Sequence, residues 1–168
     1  MPLFGKTIEN PRELYTHKLG AALTMEKTIL DMLSQLEEHA HDEQLRQFLQ
    51  QHHAQTERHV ENLERAFRAL GAEVDESPCP AVEGLEKEGQ ANLKMVDDSL
   101  NDAVIVFGAC ETEHHEIAVY EGLITNAIAI GEQDVVPLLQ ENLGQEEATL
   151  TQARQLAQQL AQRTAQAA

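Results

Sequence analysis

Four long stretches of this chain repeat apolar residues at spacings of three and four, and each of those apolar stripes carries glutamate or histidine within it. Apolar positions at that period lie along one face of a helix. In the first stretch the stripe reads Leu19, Ala22, Glu26, Ile29 and Leu33; in the second it reads Leu45, Leu49, His52, Thr56, His59 and Leu63. The third runs through Val106, Ala109, Glu113, Glu116, Ile117, Tyr120 and Ile124, and the last through Leu139, Leu143, Glu146, Leu150 and Ala153. Helices of this kind must bury their stripes against one another, and these stripes take carboxylates and imidazoles inside with them. No stretch shows the period-two alternation of a strand, and β-formers are scarce, with aromatics at 4% and no Trp. The expected fold class is all-α.

Local punctuation divides the chain. Asn10-Pro11-Arg12-Glu13 combines an N-cap, a proline at the first helical position and a glutamate three residues after the cap, so a helix is expected over about 11–38. Asp42 caps a second helix that stops at Gly71, a residue suited to the left-handed position after a helix. Asp75-Glu76-Ser77-Pro78-Cys79-Pro80 is the strongest break in the chain, followed by a short helix near 81–96 that Gly84 and Gly89 weaken. Asp97-Asp98 opens a long helix ending at Gly131. Asp134 is expected to cap a last helix, with Pro137 in its first turn, that runs to about Gln162. The result is four long helices in two hairpins, with the short helix in the crossover between them. It fits a single domain over 1–168, with 1–9 and 163–168 expected to be flexible.

The two hairpins bring the inward polar groups to one level. Glu26 precedes the turn near residue 40 by about fourteen residues, which selects partners near 54, between His52 and His59. Glu116 precedes the turn near 132 by about sixteen, which selects positions near 148, within a turn of Glu146. Glu113 and Glu116 are related by i, i+3 and share a face. Four buried carboxylates would repel one another, and divalent cations remove that objection. Candidate metal ligands are therefore Glu26, His52, His59, Glu113, Glu116 and Glu146, around two divalent ions of the carboxylate-bridged type. Gln55 borders the second stripe. His114 and His115 point sideways from it, Tyr120 either packs or hydrogen-bonds to a ligand, and His17, His39 and His41 show no convergent partner. Glu83 and Glu88, on the short helix, read as solvated surface.

The stretches Cys79-Pro80-Ala81-Val82-Glu83-Gly84-Leu85 and Glu113-His114-His115-Glu116-Ile117-Ala118-Val119-Tyr120, in this order, resemble the YciE/YciF-type bacterial stress proteins of the ferritin-like superfamily. The resemblance spans nearly the whole chain. It implies a ferritin-like four-helix bundle with an additional short helix, a homodimer, and a dinuclear site holding iron, with manganese as the alternative. It supports Glu26, Glu113, Glu116 and Glu146 as ligands, with the second helix contributing near His52. Two departures stand out. Ala54-Gln55 occupies the place where the family often has adjacent glutamates, and the acidic pair of the last helix is reduced to Gln145-Glu146.

A net charge of −17 argues against nucleic acid and anionic membrane as partners. Neither a membrane-spanning run nor a signal-peptide apolar region is present, and Cys79 and Cys110 form no paired metal motif, so a cytoplasmic chain with free thiols is expected. No nucleophile elbow, phosphate-binding loop or dinucleotide glycine motif occurs. Two functions compete. One is a dinuclear metal protein acting on dioxygen or peroxide, or binding iron, in a stress response. The other is a non-catalytic structural or interaction protein whose bundle metal stabilises. Apolar residues distributed around the first helix (Leu14, Leu23, Met25, Leu30, Met32, Leu36) separately suggest a second covered surface, hence a dimer.

Overall fold

The computed structural model describes residues 7–167 and forms an all-helical bundle. Its helices are α1 (Pro11–His39), α2 (Glu43–Ala69), α3 (Pro80–Met95), α4 (Asn101–Ile130) and α5 (Val136–Ala167). Residues 1–6 and 168, parts of the two termini expected to be flexible, lie outside the described residues. Asn10 caps α1 by accepting the Glu13 N–H at 2.9 Å, and Asp42 caps α2 by accepting from Gln44 and Leu45. Gly71 and Gly131 end α2 and α4 in the left-handed region, at φ 64° and 83°, where a Cβ would be strained.

Three boundaries differ from the sequence reading. Asp134 does not cap α5, because it sits inside a 3₁₀ turn (Gln133–Val135) that leads directly into the helix. Nor does α5 end near Gln162; it continues to Ala167 through an Ala- and Gln-rich segment of good helix formers. Asp97-Asp98 likewise forms a 3₁₀ turn (Asp98–Leu100) before α4, with Asp97 as its cap.

Helices α1 and α2 form one hairpin and α4 and α5 the other, with α1 against α4 and α2 against α5, so the four close into a ring. Contacts at the two ends fix the directions. Arg12 near the start of α1 donates to the Leu70 carbonyl at 2.8 Å and pairs with Glu132 at 2.7 Å. At the far end Asp102 accepts the His41 and Asp42 N–H groups at 2.7 and 3.0 Å, and Arg163 reaches Asp42 at 2.7 Å. The chain must therefore travel the length of the bundle between α2 and α4, and α3 occupies that crossover, packed on α4 and α1. The arrangement is the ferritin-like four-helix bundle with an additional short helix.

Leu19, Leu23, Ile29, Leu45, Leu63, Phe67, Ile105 and Leu139 fill the core, each at most 2% exposed. Burying such a side chain stabilises by ~1.5–3 kcal/mol. The second apolar stripe of α1 is largely covered within the chain: Leu23 and Met25 are buried and Leu30, Met32 and Leu36 half-buried, while Leu14 remains exposed. Where the crossover passes α1, Gly20 provides the clearance. A Cβ there would lie 2.9 Å from the Asp75 carbonyl oxygen and 2.9 Å from Ser77 Oγ.

Candidate metal centre

Midway along the bundle the apolar core gives way to six titratable side chains, Glu26, His52, His59, Glu113, Glu116 and Glu146, none more than 2% exposed. They arrive from all four long helices: Glu26 from α1, the two histidines from α2, Glu113 and Glu116 from α4, Glu146 from α5. Each occupies a stripe position that helical geometry turns inward. The six fall into two groups that share Glu146. One ligand atom from each of His52, Glu113, Glu116 and Glu146 lies within 4.8 Å of the others, and the same holds for Glu26, His59 and Glu146. All six sequence candidates are thus brought together.

Several polar atoms of the cluster are buried without a hydrogen-bond partner: both oxygens of Glu116, Glu146 Oε2, Glu26 Oε2, Glu113 Oε2 and His52 Nδ1. His52 Nε2 lies 2.9 Å from Glu113 Oε1, and His59 Nδ1 is 2.9 Å from Glu146 Oε1 and 3.7 Å from Glu26 Oε2. The atoms turned away from the centre are held by neighbours. Tyr120 donates its hydroxyl proton to Glu26 Oε1. Asn142 donates to the Tyr120 hydroxyl at 2.9 Å and to the His59 carbonyl at 3.2 Å, while Asn62 donates to Asn142 Oδ1 at 2.8 Å and Arg65 to Asn62 Oδ1 at 2.9 Å. Gln145 Oε1 accepts from His59 Nε2 at 2.9 Å, which requires the proton on Nε2 and directs Nδ1 at the cluster.

Charge is frustrated at this point in the bundle. Burial lifts Glu116 well above the ordinary carboxylate range, and the charges of Glu146, Glu26 and Glu113 lift it further. Burial also raises Glu26 and pushes Glu113 up to about 7, against the pull of His59 and His52 respectively. Burial opposes ionisation of Glu146 too, but His59 and His52 outweigh it and hold that group below its usual value. Burial disfavours the charged imidazole of His59, yet Glu146 and Glu26 raise it to about 10, and His52 is raised by Glu113 in the same way.

Among the other histidines, His114 is exposed and its Nε2 lies 3.0 Å from Arg154, while burial lowers His115, whose Nε2 is unpartnered. Neither belongs to a ligand group. Gln55 meets Thr149 instead of the centre, accepting from its hydroxyl at 3.3 Å. Glu83 and Glu88 are exposed, and Cys79 and Cys110 are free thiols. Sequence reasoning missed Asn62, Asn142 and the role of Gln145. A signal was present, since Asn142 precedes Glu146 by one turn and Asn62 follows His59 by three residues.

Comparison with known proteins places this geometry in context. Residues 10–166 match the family described as Domain of unknown function (DUF892). Protein YciF of Escherichia coli K12 is 29% identical over 146 residues, covering 86% of each chain. YcfI of Rhodopseudomonas palustris, proposed as a structural protein, superposes with a TM-score of 0.87 at 33% identity over 90% of this chain and 98% of its own. The crystal structure of the E. coli stress protein YciF superposes equally well, TM-score 0.87, at 25% identity over 92% of this chain and 99% of its own.

Proposed function

This chain belongs to the DUF892 family of YciF-type, ferritin-like proteins, and we propose that within it the buried cluster holds two divalent cations, iron by preference and manganese as the alternative, and serves dioxygen or peroxide chemistry or iron binding in a stress response. The observation that carries this reading is Glu116. It is fully buried, and neither of its oxygens has a hydrogen-bond partner. A buried carboxylate without donors is expensive unless a cation takes the lone pairs. Four carboxylates against two divalent ions also sum to neutrality, which removes the mutual repulsion described above.

Of the residues that would hold the ions, His52, Glu113 and Glu116 belong to one group, Glu26 and His59 to the other, and Glu146 to both. Redox-active ions bound there would supply one-electron chemistry toward dioxygen or peroxide. The chain's own contribution is orientation. Gln145 turns His59 Nδ1 toward the cluster, Tyr120 holds Glu26 through Oε1 and leaves its Oε2 without a partner, and the Asn142–Asn62 pair holds Tyr120. The stress role is taken from the description of YciF as a stress protein. No described helix is long and apolar enough to cross a membrane, and the free thiols agree with a reducing, cytoplasmic setting.

A non-catalytic structural role is the second reading, favoured by the description given to YcfI. In that case the ions would only neutralise buried acid. Metal analysis of protein purified without chelator, with anomalous scattering at the iron and manganese edges, tests the site; peroxide consumption separates the two readings. Two ions per chain with turnover supports the first reading, and two ions without turnover the second. A metal-free protein whose melting temperature ignores added iron and manganese would refute both.

A further inference from the structure

A cavity of about 490 Å³ lies beneath α3, walled by α1, α3 and α4, and it reaches His52 and Glu113 at the edge of the metal cluster. Most of its wall surface is apolar, with Ile29, Leu33 and Leu36 from α1, Leu93 from α3 and Ile105 from α4. The volume falls in the range of ~300–1,000 Å³ typical of small-molecule sites. We propose that this cavity binds an uncharged, largely apolar small molecule with one end against His52 and Glu113, as the organic substrate of the centre. The chemical consequence rests on the metal reading above; the binding itself does not.

Two helical glycines border the space. Gly89 of α3 and Gly108 of α4 both line the cavity, and a Cβ at either would meet nothing within 4 Å. Neither has positive φ. Glycine inside a helix is unfavourable relative to alanine, so a residue with no backbone requirement and no crowding neighbour stands where a larger side chain would be the better helix former. Here the missing side chains leave the cavity open. His52 and Glu113 stand at its inner end, and His52 Nδ1 and Glu113 Oε2 are buried and unpartnered.

The roof and the rim narrow the ligand class. Only Val82 of α3 is buried, so this helix lies across the opening with little of its own surface in the core. Glu86, Glu88, Asp98 and Glu111 stand around the cavity against Lys94, an acidic rim that opposes an anionic headgroup. A neutral chain or ring system meets no such barrier.

The test uses the full-length chain, first stripped with chelator and titrated with the uncharged fluorophore N-phenyl-1-naphthylamine. Saturable binding of one fluorophore per chain is expected, with displacement by 1-decanol at least tenfold more effective than by decanoate. Gly108→Leu should project its side chain into the cavity, keep or raise the melting temperature, and weaken binding at least tenfold. Gly144→Leu, an exposed change elsewhere, should leave binding intact. Absence of saturable binding, binding indifferent to Gly108→Leu, or one fluorophore shared between two chains would overturn the proposal, the last by making the cavity an interface between copies. Cobalt(II) then separates the two readings. A shift of its visible bands on adding decanol supports the substrate assignment, and decanol binding without a shift overturns it. Failure of cobalt to bind removes the metal reading and leaves the cavity result standing.

Discussion

Replacing Glu113 by glutamine should make the metal-free protein more stable and the metal-loaded protein less so. Burial pushes Glu113 from 4.5 up to about 7, and Glu146 adds to the shift, even though His52 stands 2.9 Å away. A carboxyl whose folded value lies above its unfolded one contributes most below about pH 4.5, and that contribution is lost as pH rises through 7. At ~1.4 kcal/mol per unit, the ionised group costs ~3 kcal/mol by pH 8 and under ~1 kcal/mol at pH 5. Glutamine keeps the shape of the neutral acid and can still accept from His52, so Glu113→Gln should recover up to ~3 kcal/mol at pH 8. For a chain of this size that is a rise of roughly 6–12 °C in melting temperature. Added iron or manganese should reverse the order. The parent gains ~2.7 kcal/mol at a metal concentration 100-fold above the dissociation constant, and the variant loses most of that gain. Thermal melts at pH 5 and pH 8, with chelator and with metal, measure all four quantities. A metal-free variant no more stable than its parent at pH 8 would refute the electrostatic reasoning. An equal response of both proteins to metal would remove Glu113 from the site.

Two further predictions concern neighbouring contacts. Tyr120→Phe deletes the donor to Glu26 and should lower stability by ~1–2 kcal/mol with helical content unchanged by circular dichroism; an unaltered melting temperature would show that the hydroxyl contributes nothing. Gly20→Ala should cost ~1–3 kcal/mol in chemical denaturation, because its Cβ would press on backbone and Ser77 of the crossover, and a neutral result would mean that the crossover moves aside at no cost.

Most of the candidate site was legible in the sequence because helical period is a strong signal and an ionisable residue on an apolar stripe violates it. Glu26, Glu113, Glu116 and Glu146 were visible in that way, and counting from the two turns placed them at one level. The count from Glu26 pointed near residue 54, whereas its nearest α2 partner is His59, since helix ends locate a facing side chain only to within about a turn. Asn62 and Asn142 were less legible because asparagine on a stripe reads equally well as a border residue, and only the facing helix shows that the two amides meet. The role of Gln145 depends on a ring nitrogen 2.9 Å away on another helix, which spacing along one helix cannot supply. Asp134 misled for a local reason. An acidic residue just before an apolar run is a fair cap, but the 3₁₀ turn carries the chain into α5 without one.

Gly20 has a meaning beyond clearance. It sits six residues before Glu26 on the same helix, so ~9 Å of rigid axis separates the place where the crossover rests from the carboxylate that enters the centre. Advancing α1 by one residue along its own screw, ~1.5 Å with a rotation of ~100°, would bring Leu19 or Ala21 under Asp75 and Ser77 while swinging Glu26 away from His59. The crossover therefore works as a detent on the helix, a notch that clicks home at one axial setting. Through it, a surface segment far from the cluster in sequence gauges where the first carboxylate of the cluster stands.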